Sequence, residues 1–70
     1  MQVIAFNKAR QAQYSVNVSD AKEAAKLAVN LVAANPFVRV QDGDYKLVIS
    51  QHMGVNAKRL AHIIEHKATL

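Results

Sequence analysis

The apolar positions change rhythm from one stretch of the chain to the next. Val3, Ile4, Ala5 and Phe6 are consecutively apolar. A run of this kind over Gln2–Asn7 predicts a short strand buried on both faces. Lys8, Ala9 and Arg10 interrupt it. From Gln11 to Val18 the period becomes two. Ala12, Tyr14, Val16 and Val18 point one way, and Gln11, Gln13, Ser15 and Asn17 the other. The alternation predicts a half-buried strand with one wet face. Together the two strands are expected to form a hairpin with Lys8 and Arg10 at its tip.

A helical period follows. Ser19 or Asp20 can accept a hydrogen bond from the free amides of a first turn. Asp20 and Glu23 have the spacing of a capping box, and both charges suit the positive end of the helix dipole. The helix should run to about Ala34, because Pro36 disfavours helical geometry at Asn35. Lys22, Lys26, Asn30 and Ala33 share one narrow face. Ala24, Leu27, Ala28 and Leu31 form the opposite stripe, widened by Ala25, Val29 and Val32. An apolar sector this broad implies a helix that is deeply buried or shared with another subunit.

Phe37–Gln41 and Tyr45–Ser50 read as a second hairpin around Asp42-Gly43-Asp44. With Asp42-Gly43 as a two-residue turn, Val40 opposes Tyr45, Arg39 opposes Lys46 and Val38 opposes Leu47. Val38, Val40, Tyr45, Leu47 and Ile49 then make one core face. Phe37, Arg39, Lys46 and Val48 occupy the other. Gly54 breaks the chain, and a last helix is expected over Asn56–Lys67. Its buried stripe is Ala57, Leu60, Ala61, Ile63, Ile64 and Ala68. The expected fold is a small α+β domain of order ββαββα, an antiparallel sheet backed by two helices.

With 70 residues there is room for one domain, residues 1–70. A chain of this size buries only about 60% of its unfolded surface, so its core is thin. The absence of Cys excludes disulfides, thiol catalysis and thiolate zinc sites. A hydrophobic fraction of 51% with 20% charged residues argues against disorder. The apolar runs are too short to span a membrane. A soluble cytoplasmic domain, with no membrane association, is the default expectation.

Formal net charge is +4, and it is unevenly placed. Residues 1–19 carry Lys8 and Arg10 and no acid. Residues 20–44 are one unit negative, and residues 45–70 are three units positive. Basic ends favour an anionic partner, with nucleic acid the first choice.

Four arrangements could carry chemistry. On the outer face of the second hairpin, Arg39, Lys46 and Phe37 combine cations with a ring able to stack on a base. At the start of the last helix, Lys58 and Arg59 oppose the helix dipole unless an anion sits there. Ser50, Met53-Gly54-Val55-Asn56, Leu60 and Ile63 form a pattern that resembles a helix-turn-helix DNA-binding motif. The resemblance implies a helix through about Lys46–Met53, with Ala57, Lys58, Arg59 and His62 facing the major groove. It competes with the strand reading of Tyr45–Ser50. Finally, His62-Ile63-Ile64-Glu65-His66 fits the H-x-x-E-H pattern of one zinc peptidase group. A third ligand and a cleft are needed as well, and four residues follow His66 in this chain. The pair therefore reads as surface histidines, with no metal or other cofactor expected.

No nucleophile–base pair or Gly-rich phosphate cradle is present, so no enzyme is expected. The leading expectation is a small basic module that binds DNA or RNA. Lys58 and Arg59 would contact phosphates, with Arg39, Lys46, Phe37, His62, Lys8 and Arg10 contributing. The alternative is a protein-interaction module or inhibitor acting as a homodimer through the Ala-rich helix 20–34.

Overall fold

The computed structural model describes residues 1–69. It has strands β1 (Gln2–Phe6), β2 (Ala12–Asn17), β3 (Phe37–Asp42) and β4 (Tyr45–Ser50), and helices α1 (Ala21–Val32) and α2 (Ala57–Glu65). The order is ββαββα, and the chain is a small α+β domain as the periodicities imply. The strands form one antiparallel sheet in the order β2-β1-β3-β4. Strand β1 is central, so Val3, Ile4 and Ala5 are all buried. After β2 the chain crosses through α1 and places β3 on the far side of β1.

Both helices lie on one face of the sheet. Val3 pairs with Val40 and Ala5 with Val38 across β1–β3, while Val38 pairs with Ile49 and Val40 with Leu47 across β3–β4. These side chains form one cluster with Ala24, Ala25 and Ala28 of α1 and Leu60, Ile63 and Ile64 of α2. The broad apolar sector of α1 is largely used inside the chain. Ala24, Ala25 and Ala28 are fully buried, while Leu27, Val29, Leu31 and Val32 pack at the margin of the core. Each fully buried residue of the size of Leu60 contributes about 1.5–3 kcal/mol.

Local chemistry fixes the helix ends. Asp20 Oδ1 accepts from the Glu23 amide at 2.8 Å. The Glu23 side chain instead accepts from the Ser19 hydroxyl at 3.1 Å, so only one arm of the capping box forms. Helix α1 stops at Val32, where the Asn35 side chain and backbone amides both donate to the Leu31 carbonyl. Asn56 caps α2 by accepting from the Arg59 amide at 2.8 Å. At the other end Ala68 N–H donates to Ile63 and Lys67 N–H to Ile64, a Schellman closure with Lys67 in the left-handed region. The Tyr45 hydroxyl donates to the Ala68 carbonyl at 2.8 Å and ties this turn back to the sheet.

Three sequence expectations are corrected. First, Lys46–Met53 is not a helix. Strand β4 continues to Ser50, and only a 3-10 turn, Gln51–Met53, precedes Gly54. Val48 and Ile49 favour extended geometry, and β4 gains a full ladder with β3. The helix-turn-helix resemblance therefore lacks its first helix. Second, the hairpin turn is Gly43-Asp44, not Asp42-Gly43. Asp42 pairs with Tyr45, Val40 with Leu47 and Arg39 with Val48. Gly43 takes φ +60° at the first central position, as a type II′ turn requires. The slide preserves which residues share a face, but it separates Arg39 from Lys46, which opposes Gln41. Third, β2 is an exposed edge strand rather than a half-buried one, with Tyr14 50% exposed. Ala5 pairs with Tyr14 but Phe6 with Ala12, so Gln13 is an extra, bulged residue. The bulge moves Ala12 off the face of Tyr14 and Val16.

Two measurements probe this packing. Ala24→Leu, at a fully buried position on the seam between α1 and the sheet, should cost about 1–3 kcal/mol in urea unfolding. Ala28→Val, beside a hollow of about 60 Å³ between α1 and the 3-10 turn, should cost less. Burial holds the Tyr45 hydroxyl above its ordinary value of 10.0. A raised value favours the protonated phenol in the folded state, so its contribution is complete below pH 10 and is lost as pH rises through the folded-state value. Tyr45→Phe should remove that component, seen as a flatter stability–pH curve at the alkaline end.

Candidate functional site

Alternation along the strands sends every second residue to the face that the helices leave open. Ile4 and Phe6 of β1, Phe37 and Arg39 of β3, and Lys46 and Val48 of β4 stand there. Phe6 and Phe37 are register partners on neighbouring strands, so both stand on the open face at one end of the sheet. Ile4 is only 7% exposed although no helix covers it, whereas Val48 is 52% exposed. No carboxylate stands at any open-face position of the four strands. Asp42 points to the helix side and pairs with Lys67 at 3.8 Å.

Each ring carries a guanidinium. Arg39 Cζ lies 5.1 Å from the Phe6 ring centroid, and Arg10 Cζ lies 5.2 Å from that of Phe37. Such contacts contribute about 0.5–1 kcal/mol each at exposed sites. Phe6, Arg10, Phe37, Arg39 and Val48 enclose a shallow pocket of about 180 Å³. Arg39 Nε is shut off from solvent and has no hydrogen-bond partner among the described residues. An unpaired buried donor costs about 1–3 kcal/mol, and more on a charged group.

Arg10 reaches Phe37 because the hairpin tip is bent over the open face. Asn7 organises the tip: its amide donates to the Gln11 carbonyl, its carbonyl accepts from Arg10 N–H, and its Oδ1 accepts from the Gln11 amide at 2.9 Å. The three loop residues Lys8, Ala9 and Arg10 end with Arg10 at φ +63°. Hairpins of this length usually place Gly there. A side chain in this region costs about 1–2 kcal/mol. The strain holds a cation where glycine would be the easier residue, a pattern associated with functional positions. The bulge at Gln13 lies beside the same tip.

The sequence-derived residues therefore fall into two groups. Arg39, Phe37 and Arg10 come together on the open face, with Lys46 farther along it and Lys8 exposed at the tip. Lys58, Arg59 and His62 stand on α2, in the helix layer, and are exposed. Lys58 shares a groove of about 510 Å³ between the helices with Lys22, Lys26 and Glu65, floored by Ala57 and Ala61. His62 lies beside His66, ring centroids 4.4 Å apart. Among the described residues no three potential metal ligands cluster, and no helix is long and apolar enough to cross a membrane.

Sequence reasoning missed Phe6, because a continuous apolar run conceals which of its members faces outward. The available signal was strand alternation, which sets Phe6 on the side opposite Val3 and Ala5; which of the two sides the helices leave open is decided by the packing. The chain matches no known protein family, no curated protein and no solved structure.

Proposed function

We propose that the chain binds single-stranded nucleic acid on the open face of its sheet. The supporting observation is the register pair Phe6–Phe37, each ring beneath an arginine, on a face whose strand positions carry no carboxylate. A flat ring on a sheet offers one surface that any base can stack on, worth about 1–3 kcal/mol per base. In a duplex the base faces are already stacked on one another, so the rings have nothing to receive. In a single strand they are free. Arg10, Arg39 and Lys46 supply positive charge for the phosphates running alongside. No nucleophile or acid–base pair is needed, and the reading is of a binding module rather than an enzyme.

Fluorescence anisotropy on a labelled 12-nucleotide strand and on the corresponding duplex tests this. The single strand should bind more tightly. Three phosphate contacts give a slope of log affinity against log salt of about −2, at roughly −0.7 per contact. Phe37→Ala should weaken binding by about fivefold to a hundredfold, the equivalent of one lost stack. Arg10→Gly separates strain from function. It should leave stability within about 1 kcal/mol, because the backbone relaxes, while affinity falls. Replacing Lys58 and Arg59 together by Ala should change single-strand affinity far less. If that double variant is the more damaging one, the site belongs on the helix side and the proposal fails. A dimer that persists on dilution, with no oligonucleotide bound, would assign the open face to a second copy of the chain.

A further inference from the structure

The two arginines on the open face occupy the positions that stacked bases would take. Arg39 covers the Phe6 ring and Arg10 covers the Phe37 ring. Among the described residues neither guanidinium has a carboxylate partner, and Arg39 keeps its Nε–H buried without an acceptor there. A guanidinium is a planar fork suited to the oxygens of a phosphate. On the phenyl ring it gains a weak contact and forgoes a strong one. Phe6, Phe37 and Val48 supply apolar surface, so the site offers a stacking surface and a phosphate donor within one small pocket.

Building on the sheet-face reading, we infer that the elementary ligand of this pocket is one nucleotide, a base and its phosphate together, and that Arg39 is a placeholder which the base displaces. In the free protein the guanidinium shields Phe6 from water. When a base arrives, it takes the ring face, and Arg39 swings out to meet the phosphate attached to that base. The Nε–H then gains the acceptor it lacks. Arg10 makes the same exchange at Phe37, from a backbone that already holds it at the edge of the pocket. The exchange gives a reason for placing arginines, rather than lysines, over both rings. An ammonium lies less flat on a ring and has no Nε edge to offer a phosphate. It also explains how a small sheet keeps two phenylalanines on an uncovered face without leaving both rings bare.

The side-chain Nε–Hε signals of Arg10, Arg39 and Arg59 report the exchange by proton–nitrogen NMR, with Arg59, on α2, as the internal control. The intact protein is titrated separately with adenosine 5′-monophosphate, adenosine and inorganic phosphate. The monophosphate should shift the Arg39 signal downfield, as it leaves the ring and gains an acceptor. The ring signals of Phe6 and Phe37 should move in parallel while Arg59 stays in place. Adenosine and phosphate, each alone, should bind at least about tenfold more weakly, the equivalent of one charge-assisted hydrogen bond. Arg39→Lys should lose about the same factor toward the monophosphate and little toward adenosine. Equal affinity for adenosine and its monophosphate would overturn the phosphate role. Equal affinity for phosphate and the monophosphate would overturn the stacking role. Tight oligonucleotide binding with the Arg39 signal unmoved would overturn the exchange while leaving the sheet-face reading intact. No binding of any strand would remove the reading on which the exchange rests.

Discussion

Alanines at positions 24, 25 and 28 let α1 lie directly on β1 and β3, and the geometry of the rest is set by that close seam. Larger side chains there would hold the helix away and open voids over Val3, Ala5, Val38 and Val40. With α1 seated low, α2 can pack beside it and insert Leu60, Ile63 and Ile64 into the same core. Both helices are thereby committed to one side of a four-stranded sheet. The margin of so small a core leaves little tolerance for a misplaced methylene.

The opposite face follows from that commitment. Its central positions are too apolar to be left wholly to water, and no helix is available for them. Stacked guanidiniums solve this locally, with Arg39 over Phe6 and Arg10 over Phe37. The arrangement shields the rings but leaves Arg39 Nε without an acceptor among the described residues and Arg10 in left-handed backbone. Two locally unfavourable features meet at one pocket, while among the described residues no polar residue is buried in the core. Lys67, at the end of α2, is also left-handed, but there the Schellman closure accounts for it.

Much of the architecture was legible because both α-helices and the second hairpin have a clean period. The polar stripe Lys22–Lys26–Asn30–Ala33 and the core stripe Leu60–Ile63–Ile64 appear where the helical period puts them. The face shared by Val38, Val40, Leu47 and Ile49 also follows from alternation, and it survives a two-residue slide of the register because such a slide preserves parity. Cross-strand neighbours depend on the turn, and Gly43 rather than Asp42 opens it, so Arg39 meets Val48 instead of Lys46. The apolar alternation of Gln11–Val18 concealed a bulge at Gln13 and an edge position, neither of which leaves a mark in a period-two pattern. The helix-turn-helix resemblance matched spacings within one helix and a turn, but strand pairing of Tyr45–Ser50 with β3 claimed the segment that it needed.

By itself the sequence determined the kind and order of the strands and the two α-helices, the apolar faces of α1, β3, β4 and α2, the acid-poor ends of the chain and the exclusion of thiol chemistry. These properties depend on residues close in the chain, through period, capping and turn chemistry. Tertiary structure alone decided that β1 lies between β2 and β3, and with it that Phe6 stands beside Phe37. It also decided that Arg10 reaches a ring two strands away and that Lys58 joins Lys22 and Lys26 rather than Arg39. Contacts of this kind join residues far apart in sequence. They are fixed only when the whole apolar face is buried at once, so no local pattern can carry them.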